Sequence, residues 1–242
     1  MTTLIKIIVA SILSLTLFSC NFDVSFNSGV KGNGNVITTE RATNGDFSTI
    51  KATEGLDVIL TQNNSKSISV EADENLQNLI LTEIEDGVLK IHTKKQIGRA
   101  TSKKVLVSFA NVSQIISTSG SNVRSTNTIA LESLDLKSTS GSDMNLDIDT
   151  SILTCKSTSG SDMRLSGKTI KLVAEVTSGS DIKAADLMAE SSEVKATSGA
   201  DITINTSKEL TAKATSGGDI KYYGNPEKVD NDESSSGNIR KE

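Results

Sequence analysis

The chain has 242 residues, with 25 basic and 30 acidic side chains and a net charge of −5. It contains no Trp, two Tyr and one His. An acidic chain so poor in aromatic residues lacks the basic surface and the stacking platforms of nucleic-acid-binding proteins, so we expect no nucleic-acid partner. The single His, His92, falls on the solvated face of an alternating strand at residues 89–93, which leaves no His base for a Ser or Cys nucleophile and no His pair for a metal.

Residues 1–19 are typical of a secretory signal peptide. Lys6 precedes an apolar run that ends at Phe18 and is too short to span a bilayer comfortably. Leu17 lies three residues before Cys20, as in a bacterial lipobox, so Cys20 is predicted to begin the mature chain and to carry acyl chains such as palmitate. A plain cleaved signal, with Cys20 as a bystander, is the alternative. We therefore predict a lipoprotein of the cell outer membrane and leave open whether it faces the surface or the periplasm.

The mature chain reads as one domain between a tether and a tail. Polar, Gly- and Asn-rich residues 20–35 predict a lipidated tether. Residues 36–239 predict the domain, with a diverged part at 36–115 and regular repeats at 116–224, and residues 225–242 predict a polar C-terminal cap and tail. In the diverged part, Asn63-Asn64 and Asp86-Gly87 are predicted as hairpin turns. Gly34-Asn35-Val36 reads as an early echo of the repeat.

Six copies of a Thr-Ser-Gly-Ser-Asp-like phrase recur in the second half, at steps of 18 to 21 residues. Such a period indicates stacked supersecondary units. Around each glycine the apolar residues fall at alternate positions, which indicates strands with one buried face. The pattern predicts an all-β fold, a parallel β-solenoid of about 20-residue coils with a less regular β N-terminal cap. The repeat glycines are Gly120, Gly141, Gly160, Gly179, Gly199 and Gly217.

Each repeat glycine is predicted to occupy a corner that requires positive φ or close approach of the next coil. Two residues later the repeat carries Asn122 and then Asp143, Asp162, Asp181, Asp201 and Asp219. Carboxylates stacked at strand spacing repel by about 1 kcal/mol per adjacent pair in water. Basic neighbours such as Lys156 and Lys183 would offset this repulsion, so we favour a structural ladder. A calcium ladder is the alternative; no other cofactor or metal is predicted.

A series of segments resembles the head-GIN domain family of auto-transporter adhesins. In chain order they are Gly32–Val36, Phe47–Ile50, Gly55–Val58, Val70–Asn75 and Gly87–Ile91, then the Ser-Gly-Ser-Asp repeats and Gly224-Asn225-Pro226. The resemblance covers about residues 32–239. It implies a β-solenoid on a secreted bacterial lipoprotein and supplies no catalytic or binding residues.

Three functions remain open at this point. The first is a lipid-anchored surface adhesin that binds a protein or glycan through its extended faces, alone or as an oligomer. The second is a structural envelope lipoprotein that faces the periplasm. The third is a β-helix enzyme that cleaves polysaccharide with paired Asp residues such as Asp162 and Asp181. We predict no enzyme, because every coil carries the same Asp and no coil is singled out. Cys155 falls at an inward position and is predicted to be a core residue.

Overall fold

A computed structural model describes residues 29–242 of the chain. The predicted signal peptide, Cys20 and the tether up to residue 28 lie outside the described residues. The 17 strands are β1 (Val36–Arg41), β2 (Thr49–Ala52), β3 (Asp57–Gln62), β4 (Ser67–Asp73), β5 (Ile80–Glu85), β6 (Val88–Thr93), β7 (Lys103–Phe109), β8 (Gln114–Ser117), β9 (Asn122–Ser125), β10 (Ile129–Thr139), β11 (Asp143–Thr158), β12 (Asp162–Thr177), β13 (Asp181–Thr197), β14 (Asp201–Thr215), β15 (Asp219–Tyr223), β16 (Lys228–Ser234) and β17 (Asn238–Lys241). One 3₁₀ turn, Glu74–Leu76, precedes β5.

The repeats stack as parallel coils, which confirms the predicted fold. Strands β10 to β14 pair successively in parallel, and equivalent repeat positions face one another: Asp143 opposes Asp162, and Asp162 opposes Asp181. The coils average about 19 residues and make about seven turns of a β-solenoid. The period of the sequence therefore equals one circuit of the chain.

Each coil folds around its own row of buried side chains. Burial alternates along β11 until Ser151 and Ile152, which are adjacent and both outward-facing, and then resumes at Leu153. This break in the alternation places a corner in the middle of the long strand. Inward residues on both sides of the corner, such as Met144 and Cys155, belong to one continuous core.

The second corner of each coil is a two-residue turn. In the coil of β11, Ser159 has φ +61° and Gly160 has φ +69°. Two successive residues with positive φ are the signature of a type I′ turn. The N–H of Gly160 donates to the carbonyl oxygen of Ser178 in the next coil, at 3.2 Å. The turns are thus joined to one another as the strands are.

The N-terminal end is closed by strands that fold back over the stack. Strands β2 and β3 lie inside it, because β2 pairs with β6 and β8, and β3 pairs with β7 and β9. Strand β4 pairs antiparallel with β7, and β1 pairs antiparallel with β4. Strand β5 pairs antiparallel with β6. The expected N-terminal cap is therefore built largely from antiparallel pairs.

Two local predictions in this cap were wrong and one was confirmed. Asn63-Asn64 does not form a hairpin, because β3 and β4 both pair with β7 and not with each other. Gly34-Asn35-Val36 does not begin a coil, because β1 runs antiparallel to β4. Asp86-Gly87, with φ +50° and +75°, is the turn of the β5–β6 hairpin.

The C-terminal tail forms one further coil. Strand β16 stacks in parallel on β14, and β17 stacks on β15. At inward positions, Asn231 and Glu233 stand opposite the buried Ala212 and Ala214. Every residue of β16 is exposed, so the last coil covers the core without extending it. Within residues 29–242, no helix is long and apolar enough to cross a membrane.

Candidate interaction surface

Hydroxyl pairs fill the inside of the first repeat turns. The side chains of Ser157 and Ser161 are buried, and their Oγ atoms lie 2.8 Å apart. The Ser161 Oγ also accepts a hydrogen bond from the Thr158 N–H at 3.2 Å. Pairs Ser117–Ser121 and Ser138–Ser142 repeat this arrangement. Serine at these positions satisfies backbone groups that the turn would otherwise leave unpaired.

The predicted glycines and acids lie in two rows along the stack. All six repeat glycines have φ between +65° and +74°, and no atom stands within 4 Å of a Cβ built on five of them. They are therefore required for backbone conformation and not for space. The acid row begins with Asp57 and Asn122, continues through the five repeat aspartates, and ends at Asn238.

The carboxylate of Asp201 is affected by its neighbours in the acid row. Partial burial of its carboxylate and the neighbouring charges of Asp181 and Asp219 raise the pKa of Asp201, while Lys221 and Lys183 oppose the rise. Asp181 forms an ion pair with Lys183 at 3.1 Å. In the part of the chain that the structure describes, no group of three or more His, Cys, Asp or Glu side chains could hold a metal ion. Among the described ion pairs, only Asp181 of the five repeat aspartates has a partner, and Lys156, which was expected to offset the row, pairs with Glu175 instead at 3.0 Å.

Irregular stacking creates a groove beside the mid-strand corner of β11 to β14. Between Ala184 and Met188, strand β13 carries three residues that have no partner in β14, which continues directly from Ile204 to Asn205. Below this bulge, Gly167 has φ +105°, and a Cβ there would stand 2.1 Å from the Ile148 carbonyl oxygen. The three unpaired residues push the surface of β13 outward from the stack. Because Gly167 has no side chain, the coil that contains Ile148 can pack close to it.

The groove has an apolar lining and a charged rim. Its volume is about 550 Å³. Ile170 and Met188 line it and are 53% and 64% exposed, the two largest values among the large hydrophobic side chains described. On its rim Lys168 pairs with Asp149 at 3.2 Å, and Glu190 pairs with Lys208 at 2.5 Å. The rim charges are already paired, so the apolar residues are the part of the groove left without a partner.

Cys155 and His92, the two residues considered for catalysis from the sequence, have the surroundings of structural residues. Cys155 is buried in the core, and burial raises the pKa of its thiol far above the ordinary range. It therefore stays protonated and unreactive. His92 lies on the outward side of β6, with its Nε2 2.8 Å from Glu83.

The sequence did not predict the groove, nor the positive φ of Ser159 and its equivalents in the other turns. Residues 185–187 of β13 add to the spacing between Gly179 and Gly199, which is 20 residues against 18 in the next coil. This difference in spacing indicates that the coil has extra residues, but it does not indicate where in the coil they bulge out of the stack. Ser159 and its equivalents have no sequence feature that distinguishes positive φ from negative φ.

The chain belongs to the family described as "putative auto-transporter adhesin, head GIN domain", whose model matches residues 46–226. No curated protein matches the chain. The family is described as an adhesin and not as an enzyme.

Solved structures share the fold. A "putative adhesin" of Bacteroides fragilis has a TM-score of 0.81 and 20% identity over 88% of this chain and 100% of its own. A "putative lipid binding protein" of Parabacteroides distasonis has a TM-score of 0.70 and 22% identity, over 88% and 99% of the two chains. A "putative adhesin" of Parabacteroides merdae has a TM-score of 0.70 and 21% identity over the same shares.

Proposed function

We propose that this protein is an exported, lipid-anchored adhesin of the cell envelope that holds a protein partner in the groove at the corner of β11 to β14. On this proposal residues 1–19 are removed and Cys20 carries the lipid. The observation that carries the proposal is the exposure of Ile170 and Met188 in one groove. Apolar side chains gathered in a groove with a polar rim are characteristic of interaction sites.

The lining of the groove favours a protein partner over a glycan. Sugars stack on aromatic rings, and the chain has no Trp, while neither Tyr lines the groove. Ile170 and Met188 offer exposed aliphatic surface, and Met in particular adapts to the shape of a partner. The rim ion pairs would remain solvated at the edge of such a contact.

The family and the fold support the proposal at a coarser level. The family description suggests an exported cell-envelope protein. A solenoid is a stiff support that presents its side faces at a distance from one end. Lipid on a residue that precedes this support would leave the side faces accessible.

Protease treatment of intact cells tests the location. We expect protease to digest the wild-type protein while a periplasmic marker survives, and a Cys20→Ala variant to leave the membrane fraction. Protection of the wild-type protein until the outer membrane is opened would instead indicate the periplasm-facing alternative and would exclude adhesion.

Substitutions in the groove test the binding site. We expect Ile170→Asp with Met188→Glu to reduce attachment of expressing cells to plates coated with extracellular-matrix protein by about tenfold or more, since burial of two anchors is lost. Ile37→Asp with Leu106→Glu is the matched control, because it adds the same two charges at side chains that are each 37% exposed and lie on β1 and β7, outside the groove. Equal attachment by the groove variant and the control would refute the site.

A further inference from the structure

A short segment of the N-terminal cap is strongly basic in an acidic chain. Residues 93–104 contain Lys94, Lys95, Arg99, Lys103 and Lys104 and no acid, whereas the whole chain has a net charge of −5. The segment joins β6 to β7 at the N-terminal end of the stack. Lys94, Lys95 and Arg99 are exposed. This charge is therefore presented at one end of the solenoid.

The chain from the predicted tether enters the domain on this segment. Val30 forms a parallel bridge with Ile97, its N–H donates to the Gln96 carbonyl oxygen at 2.9 Å, and it accepts from the Gly98 N–H at 3.0 Å. The Gly32 N–H donates to the Arg99 carbonyl oxygen at 2.9 Å. Lys31 lies between these contacts and is exposed. The entering chain thus adds a fourth exposed cation to the same surface.

The acidic side chains near these cations already have other hydrogen-bond or ion-pair partners. Glu71 pairs with Lys104 at 2.8 Å, and Glu74 accepts from the Asn35 side chain at 3.0 Å. The buried Asp73 accepts from the backbone N–H groups of Gly34, Thr101 and Ser102. Within residues 29–242, none of the ion pairs involves Lys31, Lys94, Lys95 or Arg99. We call these four side chains the basic surface.

We propose that the basic surface binds the anionic phospholipid headgroups of the membrane in which Cys20 is anchored. This inference rests on the proposed lipid anchor. Eight residues lie between Cys20 and Gly29, and the nine residue steps from Cys20 to Gly29 span at most about 30 Å. The surface that receives this chain therefore stays near the bilayer, where cations are attracted to anionic headgroups. The anchor holds the protein at the membrane, and the basic surface sets which end faces it.

Vesicle binding by the mature chain with Cys20→Ala tests the surface without the lipid. We expect binding to vesicles of equal parts phosphatidylglycerol and phosphatidylcholine, and none to phosphatidylcholine alone. Replacing Lys31, Lys94, Lys95 and Arg99 with Gln should weaken binding by at least about tenfold, and added salt should weaken wild-type binding. The matched control replaces Lys137, Lys156, Lys195 and Lys213 with Gln, which removes the same charge from the side of the stack.

Retention of binding by the control supports a local surface. Equal loss in the two variants, or equal wild-type binding to both kinds of vesicle, would overturn the proposal. Melting curves verify that the variants fold, and Lys94→Glu with Lys95→Glu provides a second, smaller variant that should also lose binding. Detection of lipid on Cys20 by metabolic labelling is a separate measurement, so absence of the anchor and absence of headgroup binding are distinguished.

Discussion

Each end of the solenoid must cover the core of its outermost coil, and the two ends do this in different ways. At the N-terminal end, β1, β4 and β5 fold back antiparallel, and the core beneath them contains fully buried Leu60 and Ile91. At the C-terminal end a single coil lies open, with Asn231 and Glu233 at inward positions. The comparison teaches that an open stack can be ended either by adding layers or by making the last layer polar.

Truncating an apolar side chain at each end should give the largest contrast. Leu60→Ala is expected to lower the free energy of unfolding by about 2–5 kcal/mol, because it leaves a cavity in a closed core. Val229→Ala, on exposed β16, should change it by less than about 0.5 kcal/mol. Urea denaturation measures both values. Similar losses would mean that the last coil is as well packed as the first.

Carboxylates at the two ends should differ in their response to acid. Backbone N–H groups of Ser102, Gly34 and Thr101 lower the pKa of Asp73 below its ordinary 3.8. A group with a lowered pKa contributes its full stability above the ordinary value and loses it as pH falls through the folded value. The melting temperature of wild-type protein should therefore fall more between about pH 7 and about pH 3 than that of Asp73→Asn.

Glu233→Gln provides the control for this pH dependence. Glu233 is exposed and accepts one backbone hydrogen bond, from Ile239 at 2.7 Å. Because Gln accepts the same hydrogen bond, this variant removes a carboxylate at the C-terminal end and keeps the contact. A curve for Asp73→Asn that is parallel to the wild-type curve would remove Asp73 from the acid response of the N-terminal end.

A middle coil, which contacts neither end, isolates the contribution of the turn. Gly160→Val should cost about 1–3 kcal/mol, because Gly160 has φ +69° and a β-branched residue is strained there. Thr158→Ala should cost less, since Thr158 is half-buried and keeps its backbone bonds. Equal melting temperatures of the two variants would contradict the assignment of Gly160 to a left-handed corner.

The smallest expected effect is the difference between substitutions of two residues that have positive φ, Ser159 and Glu54. Ser159→Asn should gain up to about 1 kcal/mol, because Asn tolerates the left-handed conformation better than Ser. Glu54 also has positive φ, +60°, but its carboxylate accepts hydrogen bonds from the N–H and hydroxyl of Thr93 at 2.6 and 2.7 Å. Glu54→Asn should therefore lose stability, and a gain at both positions would show that the Thr93 contacts contribute nothing.

The regular coils could be predicted from the sequence because each coil contacts its neighbours at a fixed offset. The phase of Met144, Cys155 and Gly160 along the repeat therefore determines their burial and conformation. The cap could not be predicted in the same way. Its strand β4 pairs with β1 and β7, partners that no period relates to it.

The groove escaped prediction for a related reason. A spacing of 20 residues between Gly179 and Gly199 is compatible with a bulge anywhere in the coil, and only packing against β14 places it at residues 185–187. Cys20 and its lipid remain a prediction from the sequence.

The matching register of successive coils also makes the length of the molecule adjustable. Asp162 opposes Asp181 as Asp143 opposes Asp162, so a duplicated coil would find compatible neighbours on both sides. Each such insertion would lengthen the rod by about 4.8 Å while leaving both ends unchanged. Gain or loss of a segment of about 19 residues could thus change the distance between the two ends of the solenoid in small steps during evolution.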